Sequence, residues 1–486
     1  MILVGLLALV PAAAARGDPQ GVVPNDRTHS VDALREDLRT LWAVLEEGHG
    51  GLERYVPRQT LNGSFDQAAA QLTRPLTELE FYRVILPLIA GIKDGHTRAR
   101  LSNAGQAELC ARPVFLPVEL RFVDGKAHLF RNLSARGDIE AGGEVVGVNE
   151  TAMPVILPTL LSLVPSDAGI LSRRLRLLEN PHTFGELFAV AFGRAESFRL
   201  RIRGHSGGST TLEVPGVRGE DLDRIRRQRY PETAARRPLY ELTYHAASAV
   251  LTIRGFGDDR SAGSRPYPEF LRQAFRELDE KEIRRLVIDL RGNGGGRDEY
   301  GRLLFAHFMA APFQYYRSLE VKKDHLDLLR YARGASLGRL GNGLRRNARG
   351  WYDVTNHPNV GTMRPEAPRY SGRTAILLDG LSFSTTGETT SLFHYHRKAL
   401  FLGEECGAGY YGNTSGAMAE AALPRTGIRV TIPLVRYTLA VDGYPRDRGI
   451  IPDIQVAPTI QDLLDGRDTV MERALEWLAD RSSSTP

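Results

Sequence analysis

The sequence predicts a mixed α/β chain built in three parts. Three observations carry this reading. Apolar residues recur at helical spacing from about Ser30 to Ile92, short alternating strands fill Pro113 to Gly219, and continuous apolar strands alternate with helices from Ala249 onward. A length of 486 residues suits about three domains of roughly 150 residues each. With 42% hydrophobic and 25% charged residues, each part has enough apolar surface for a core of its own.

Residues Met1 to Ala15 form an apolar run ending in Pro11-Ala12-Ala13-Ala14-Ala15. Ala13 and Ala15 fit the small-x-small cleavage rule, which predicts a signal peptide over residues 1–15, a mature chain starting at Arg16, and a secreted or periplasmic protein. The run carries no Lys or Arg ahead of it and is too short for a stable membrane anchor. The formal charge of +5 is spread over many Arg residues without a dense run, so no nucleic-acid partner is expected. Cys110 and Cys406 are the only cysteines, and no CxxC or His-rich spacing suggests a zinc site.

The first part, residues 25–105, reads as a helical cap. Leu34, Leu38, Leu41, Trp42 and Leu45 share one helical face, as do Phe81, Val84, Ile85, Leu88 and Ile89. Ser30 and Asp32 are candidate N-caps for the first helix, and Gly48, Gly50 and Gly51 end it. Thr77 with Glu80 three residues on is a capping-box pattern. The second part, residues 110–220, opens with a hairpin, Val118–Phe122 and Ala127–Phe130 around Asp124-Gly125. It closes with another, Phe198 to Val214 around Gly207-Gly208. One helix-like stretch lies between them, after Ala141-Gly142-Gly143-Glu144-Val145-Val146-Gly147-Val148-Asn149. This order resembles a PDZ domain, although the usual carboxylate-binding loop is not evident. Arg224 to Pro238 reads as a charged linker.

The third part, residues 235–480, alternates strands and helices: Ala249–Ile253, a helix around Phe270 to Leu278, Leu286–Leu290, Thr374–Leu378, a helix over Thr385 to Arg397, and Ala399–Leu402. Such runs indicate a sheet buried on both faces. Lys323 to Asn356, rich in Gly and Arg, reads as an inserted surface loop or lid.

Three places in the chain could carry chemistry. Ser384 stands at a strand-to-helix corner, where free N–H groups and the helix dipole favour developing negative charge. Helix capping alone would also account for Ser382 or Ser384 there. Asp289-Leu290-Arg291-Gly292-Asn293-Gly294-Gly295-Gly296 ends an apolar strand in bare backbone that a substrate oxygen can approach. It lacks both the Walker lysine and the GxGxxG spacing of phosphate loops, and plain turn chemistry also explains it. Asp94-Gly95-His96-Thr97 closes the helical part with a histidine able to act as a general base. Among its competitors is His49. His394 and His396 lie ten and twelve residues past Ser384 on the same helix, about 15–18 Å away at 1.5 Å per residue.

Together, in this order, the pieces resemble the C-terminal processing (tail-specific) serine protease family. The likeness is strongest to the branch that is similar to the core protease of tricorn. It extends through Ser384-Thr385-Thr386-Gly387-Glu388, Gly403-Glu404-Glu405-Cys406-Gly407-Ala408-Gly409 and Gly449-Ile450-Ile451-Pro452-Asp453-Ile454. The resemblance implies a crotonase-like (ClpP/crotonase-type) α/β catalytic core preceded by a PDZ-like domain. It also implies Ser384 as nucleophile, with the N–H groups of Thr385 and Gly295 (or Gly294) as oxyanion hole. The family's lysine would fall at Gly409, and Lys398 is on the wrong side of the motif. The base is therefore expected to be His96, as in the tricorn-like branch, with Asp447 as supporting acid and Glu404 and Glu405 as rivals. The implied reaction is acyl transfer on a polypeptide substrate without metal or organic cofactor. A non-catalytic peptide- or ligand-binding protein on the same fold is the competing expectation, because fold does not fix activity.

Overall fold

The helical part begins as its caps predict. In the computed structural model, which describes residues 27–204, 207–231, 237–259, 264–327, 332–333 and 343–480, the helix Val31–Gly48 starts at Ser30, whose side chain accepts the Ala33 N–H. Thr77 and Glu80 form the reciprocal capping box of the helix Glu78–Gly91. A further helix, Arg58–Gln71, joins them. The Met1–Ala15 run and its cleavage site lie outside the described residues. Among the described residues, no helix is long and apolar enough to cross a membrane.

After Glu78–Gly91 the chain turns through Asp94–Thr97 and leaves along the short strand Arg98–Arg100. That strand does not stay with the helices. It pairs with Arg429–Leu439, Arg98 opposite Thr431 and Arg100 opposite Arg429. A three-residue ladder thus pins the His96 loop against a segment more than 300 residues further on.

The middle part is an antiparallel sheet of Val118–Val123, Lys126–Asn132, Glu144–Val148, Ser197–Arg203 and Ser209–Pro215. Both expected hairpins form. Asp124 (φ 49°) and Gly125 (φ 72°) both sit in the left-handed region, as a tight two-residue turn requires. The single expected helix is instead three: Met153–Leu161, Leu171–Leu178 and Pro181–Phe192. Asn180 caps the third, with Pro181 at its first position. The span read as a linker starts inside the helix Gly219–Arg229, and residues 232–236 of it lie outside the described residues. Glu220 and Asp221 in the helix's first turn and Arg226, Arg227 and Arg229 in its last complement its dipole, and Leu222 is buried beneath it.

The third part rests on a six-stranded sheet in the order Tyr240–His245, Ser248–Ile253, Arg285–Asp289, Arg373–Leu378, Leu400–Gly403, Ile454–Gln455. All neighbours are parallel except the first pair. The continuous apolar runs have a direct cause. Alternate residues face opposite sides, and both sides are covered. Val287, Ala375, Leu377 and Leu402 pack under Val470, Ala474, Trp477 and Leu478 of the helix Thr469–Ala479. Leu286, Ile288, Ile376 and Leu378 face the main core. A second sheet contains Tyr316–Val321, Thr414–Ala422 and Arg429–Leu439. The span read as an inserted loop adds Leu344–Arg346 and Tyr352–Val354 to its edge, because Leu344 and Val354 fall opposite each other and Val354 is buried. The glycine loop and the Ser384 turn both leave the carboxyl ends of adjacent parallel strands, where open α/β sheets place their sites.

Candidate active site

Ser384 caps the helix Thr385–Tyr395 with φ 59° and ψ −125°, a conformation that non-glycine residues rarely adopt and that costs about 1–3 kcal/mol. Its neighbours impose that backbone. The Phe383 N–H donates to Asn293 O (3.0 Å), the Ser382 hydroxyl to Leu290 O (2.9 Å), and the Thr385 hydroxyl to Gly296 O (2.9 Å). Asp379 ties the two loops together, accepting from the N–H groups of Gly292, Leu381 and Ser382. Ser382 therefore fixes the turn rather than capping the helix.

Helix formation from Thr385 leaves its N–H without an intrahelical acceptor beside Ser384. Gly295 (φ 101°) lies so close that a Cβ there would stand 2.7 Å from the Ser384 Cβ and 3.0 Å from the Thr385 nitrogen. The Gly295 N–H itself donates to Asn293 Oδ1 at 2.9 Å.

His96, from the other end of the chain, places Nε2 3.1 Å from Ser384 Oγ across a sequence separation of 288. Its ring lies on Phe383, 4.6 Å between centroids, and the Arg173 guanidinium covers that phenyl at 3.9 Å. Burial first, then the charges of Arg98, Arg173 and Arg54, push the imidazole down to about 4, with Asp94 opposing them. The ring is therefore neutral at pH 7, and its Nδ1 is buried without a hydrogen-bond partner.

The three carboxylates expected behind His96 do not reach it. Glu404 pairs with Arg176, Glu405 accepts the Gly449 N–H, and Asp447 is exposed near Glu405. Surface exposure of the 446–448 turn is the physical reason, since it keeps Asp447 in water. The carboxylates at hand are Asp94 and Asp167, each with an oxygen within 4.8 Å of a His96 ring nitrogen. Asp94 accepts the N–H groups of His96 (3.0 Å) and Thr97 (2.9 Å), the Thr97 hydroxyl (3.0 Å), and the Thr414 hydroxyl. Burial pushes it up, but His49 and His96, which become charged in the acidic range where Asp94 titrates, and the hydroxyl donors more than offset this and hold it below the usual range. Asp167, from the middle part, accepts from Gly95 N–H (2.8 Å) and Gly409 N–H (3.2 Å). Burial and the Asp94 charge raise it to about 6. Both carboxylates are thus closed by N–H and O–H donors rather than open towards a cation.

Sequence reasoning named His96 and passed over Asp94, two residues earlier in the same motif. The signal was present: an Asp followed at two residues by a candidate base is an Asx-turn pattern. Asp167 and Arg173 carried no such signal. His394 points away, to the Tyr410 hydroxyl at 3.0 Å.

Residues 248–456 match the family model Peptidase family S41. That stretch, less than half of the chain, is similar to the S41 peptidases. A run of 127 residues, 26% of this chain, is 29% identical to the carboxy-terminal processing protease CtpB of Bacillus subtilis (strain 168), and spans 25% of that protein's length. The crystal structure of mature CPAF superposes with a TM-score of 0.60 at 15% identity, covering 94% of this chain and 99% of that one. Mature CPAF complexed with lactacystin gives 0.60 at 16%, covering 92% and 98%. At such identities the likeness is one of fold, and it extends beyond the S41 segment to the helical and middle parts.

Proposed function

We propose that this chain is an exported serine endopeptidase that cleaves polypeptides through an acyl-enzyme. The observation that supports it most is the 3.1 Å approach of His96 Nε2 to Ser384 Oγ, at a strained helix N-terminus inside an S41 segment. His96 accepts the Ser384 proton on Nε2 while Oγ attacks the scissile carbonyl carbon. The carbonyl oxygen takes the negative charge and meets the Thr385 N–H and the glycine loop. For Gly295 to donate there, its N–H must leave or share Asn293 Oδ1; Gly294 is the alternative on the same loop. The imidazolium then protonates the departing amine, the C–N bond breaks, and the acyl group stays on Oγ. Water, deprotonated by the same imidazole, then attacks the acyl carbon, the C–Oγ bond breaks, and the imidazolium returns the proton to Ser384 Oγ as the acid product leaves.

The organisation read with this function is a helical cap over 25–105, a PDZ-like domain over 110–220 and a crotonase-like core over 235–480. Export rests on residues 1–15 and places the protein in the periplasm or outside the cell. A peptide-library digest tests the reading. Wild type is expected to generate new termini, and Ser384→Ala and His96→Ala none above background. Equal cleavage by either variant sinks the mechanism.

A further inference from the structure

We infer that Asp94, locked in place by Thr97 and His49, is the carboxylate that positions His96 and counters its charge. The inference rests on His96 being the base.

The directions of the hydrogen bonds can be worked out. The Gly51 N–H donates to His49 Nδ1 at 2.9 Å, so Nδ1 carries the lone pair and the ring proton sits on Nε2. Nε2–H then donates to Thr97 Oγ1 at 2.7 Å, which leaves the Thr97 hydroxyl hydrogen for Asp94 Oδ1 at 3.0 Å. His49 is fully buried, and burial keeps it neutral, pushed down to about 4. The chain thus runs one way, from a neutral histidine through a hydroxyl to a carboxylate. Four donors reach Asp94, which has only lone pairs to offer as an anion.

On the other side, Nε2 of His96 faces the serine hydroxyl, and acting as the base requires the neutral ring to carry its proton on Nδ1. Taking the serine proton makes an imidazolium in a buried site flanked by Arg54, Arg98 and Arg173. An anion nearby offsets that cost. Asp94 is better suited than Asp167, which accepts only two N–H groups and whose carboxyl burial holds higher. A separation of up to 4.8 Å makes this an electrostatic and loop-holding role rather than a direct hydrogen bond to the ring.

The test is the rate at which a fluorophosphonate labels Ser384 from pH 3.5 to 8, with thermal unfolding followed in parallel. Asp94→Asn is expected to lower the plateau by roughly 10–100-fold. It should also move the acidic midpoint to lower pH, because the anion that favours protonation of His96 is gone. Thr97→Val is expected to lose at least about tenfold, and Thr97→Ser to restore most of that loss. A plateau that falls with an unmoved midpoint assigns Asp94 to folding alone and overturns the inference. Equal rates for the two Thr97 variants overturn it too, even if Asp94→Asn does not fold. Absence of labelling in wild type overturns the nucleophile reading and this inference together. Labelling of His96→Ala at the wild-type rate removes the base and leaves the nucleophile standing.

Discussion

Ser384 is a residue held where its own backbone preference would not put it. The strain of about 1–3 kcal/mol is tolerable because three hydrogen bonds to the neighbouring strand and loop fix the turn. At this scale the His96 environment sets the pH response. The proposed base role needs a neutral ring, and burial lowers the His96 pKa to about 4. The plot of kcat/KM against pH is therefore expected to stay flat through neutrality and to fall tenfold per unit only below about pH 4. A midpoint near 6.5, read from the same plot, would mean a solvated histidine instead. The pairing of Ser384 with His96, which the structure brings within 3.1 Å of each other, is readable in the sequence only from the order of motifs, since a capping serine and a turn histidine look alike in isolation. The supporting acid was not legible. Asp447 is suggested by its place beside a motif, whereas burial and donors, which sequence spacing does not carry, favour Asp94 and Asp167.

At the scale of elements, two glycines carry sharp expectations. A Cβ on Gly295 would stand 2.7 Å from the Ser384 Cβ and 2.9 Å from Phe383 O, on a backbone at φ 101°. Gly295→Ala should therefore displace the loop and cut turnover by about 10²-fold or more, measured as kcat with thermal stability in parallel. Gly409 stands where the family resemblance places a lysine. A Cβ there would meet the Tyr55 hydroxyl at 2.0 Å, with Asp167 Cβ at 3.7 Å. Gly409→Lys is accordingly expected not to rescue His96→Ala, and to lower the melting temperature. Recovered hydrolysis in the double variant would contradict the packing argument. The parallel strands and both hairpins were readable because period and turn chemistry are local properties. The helices Leu171–Leu178 and Gly219–Arg229 were missed because their sequences are rich in Arg. What fixes the first is tertiary, including Arg176 on Glu404 and Ser172 on Glu405 O.

Over the whole molecule, the site is assembled from distant parts. The helical part delivers His96 and lends the strand Arg98–Arg100 to the second sheet, and the middle part inserts Asp167 and Arg173. A fragment of residues 237–480 thus lacks the proposed base and leaves Arg429–Thr431 without the Arg98–Arg100 ladder. It is expected to elute as aggregates on size exclusion and to remain unlabelled by a fluorophosphonate; a monodisperse, labelled fragment would show that the parts are independent. The central claim, a serine activated by a histidine 288 residues away, meets its most direct check in intact mass spectrometry after fluorophosphonate treatment of the full chain. The account predicts one adduct, mapped to Ser384, absent in Ser384→Ala and formed at least about 100-fold more slowly in His96→Ala. An adduct on another residue, or an undiminished rate in His96→Ala, would contradict it.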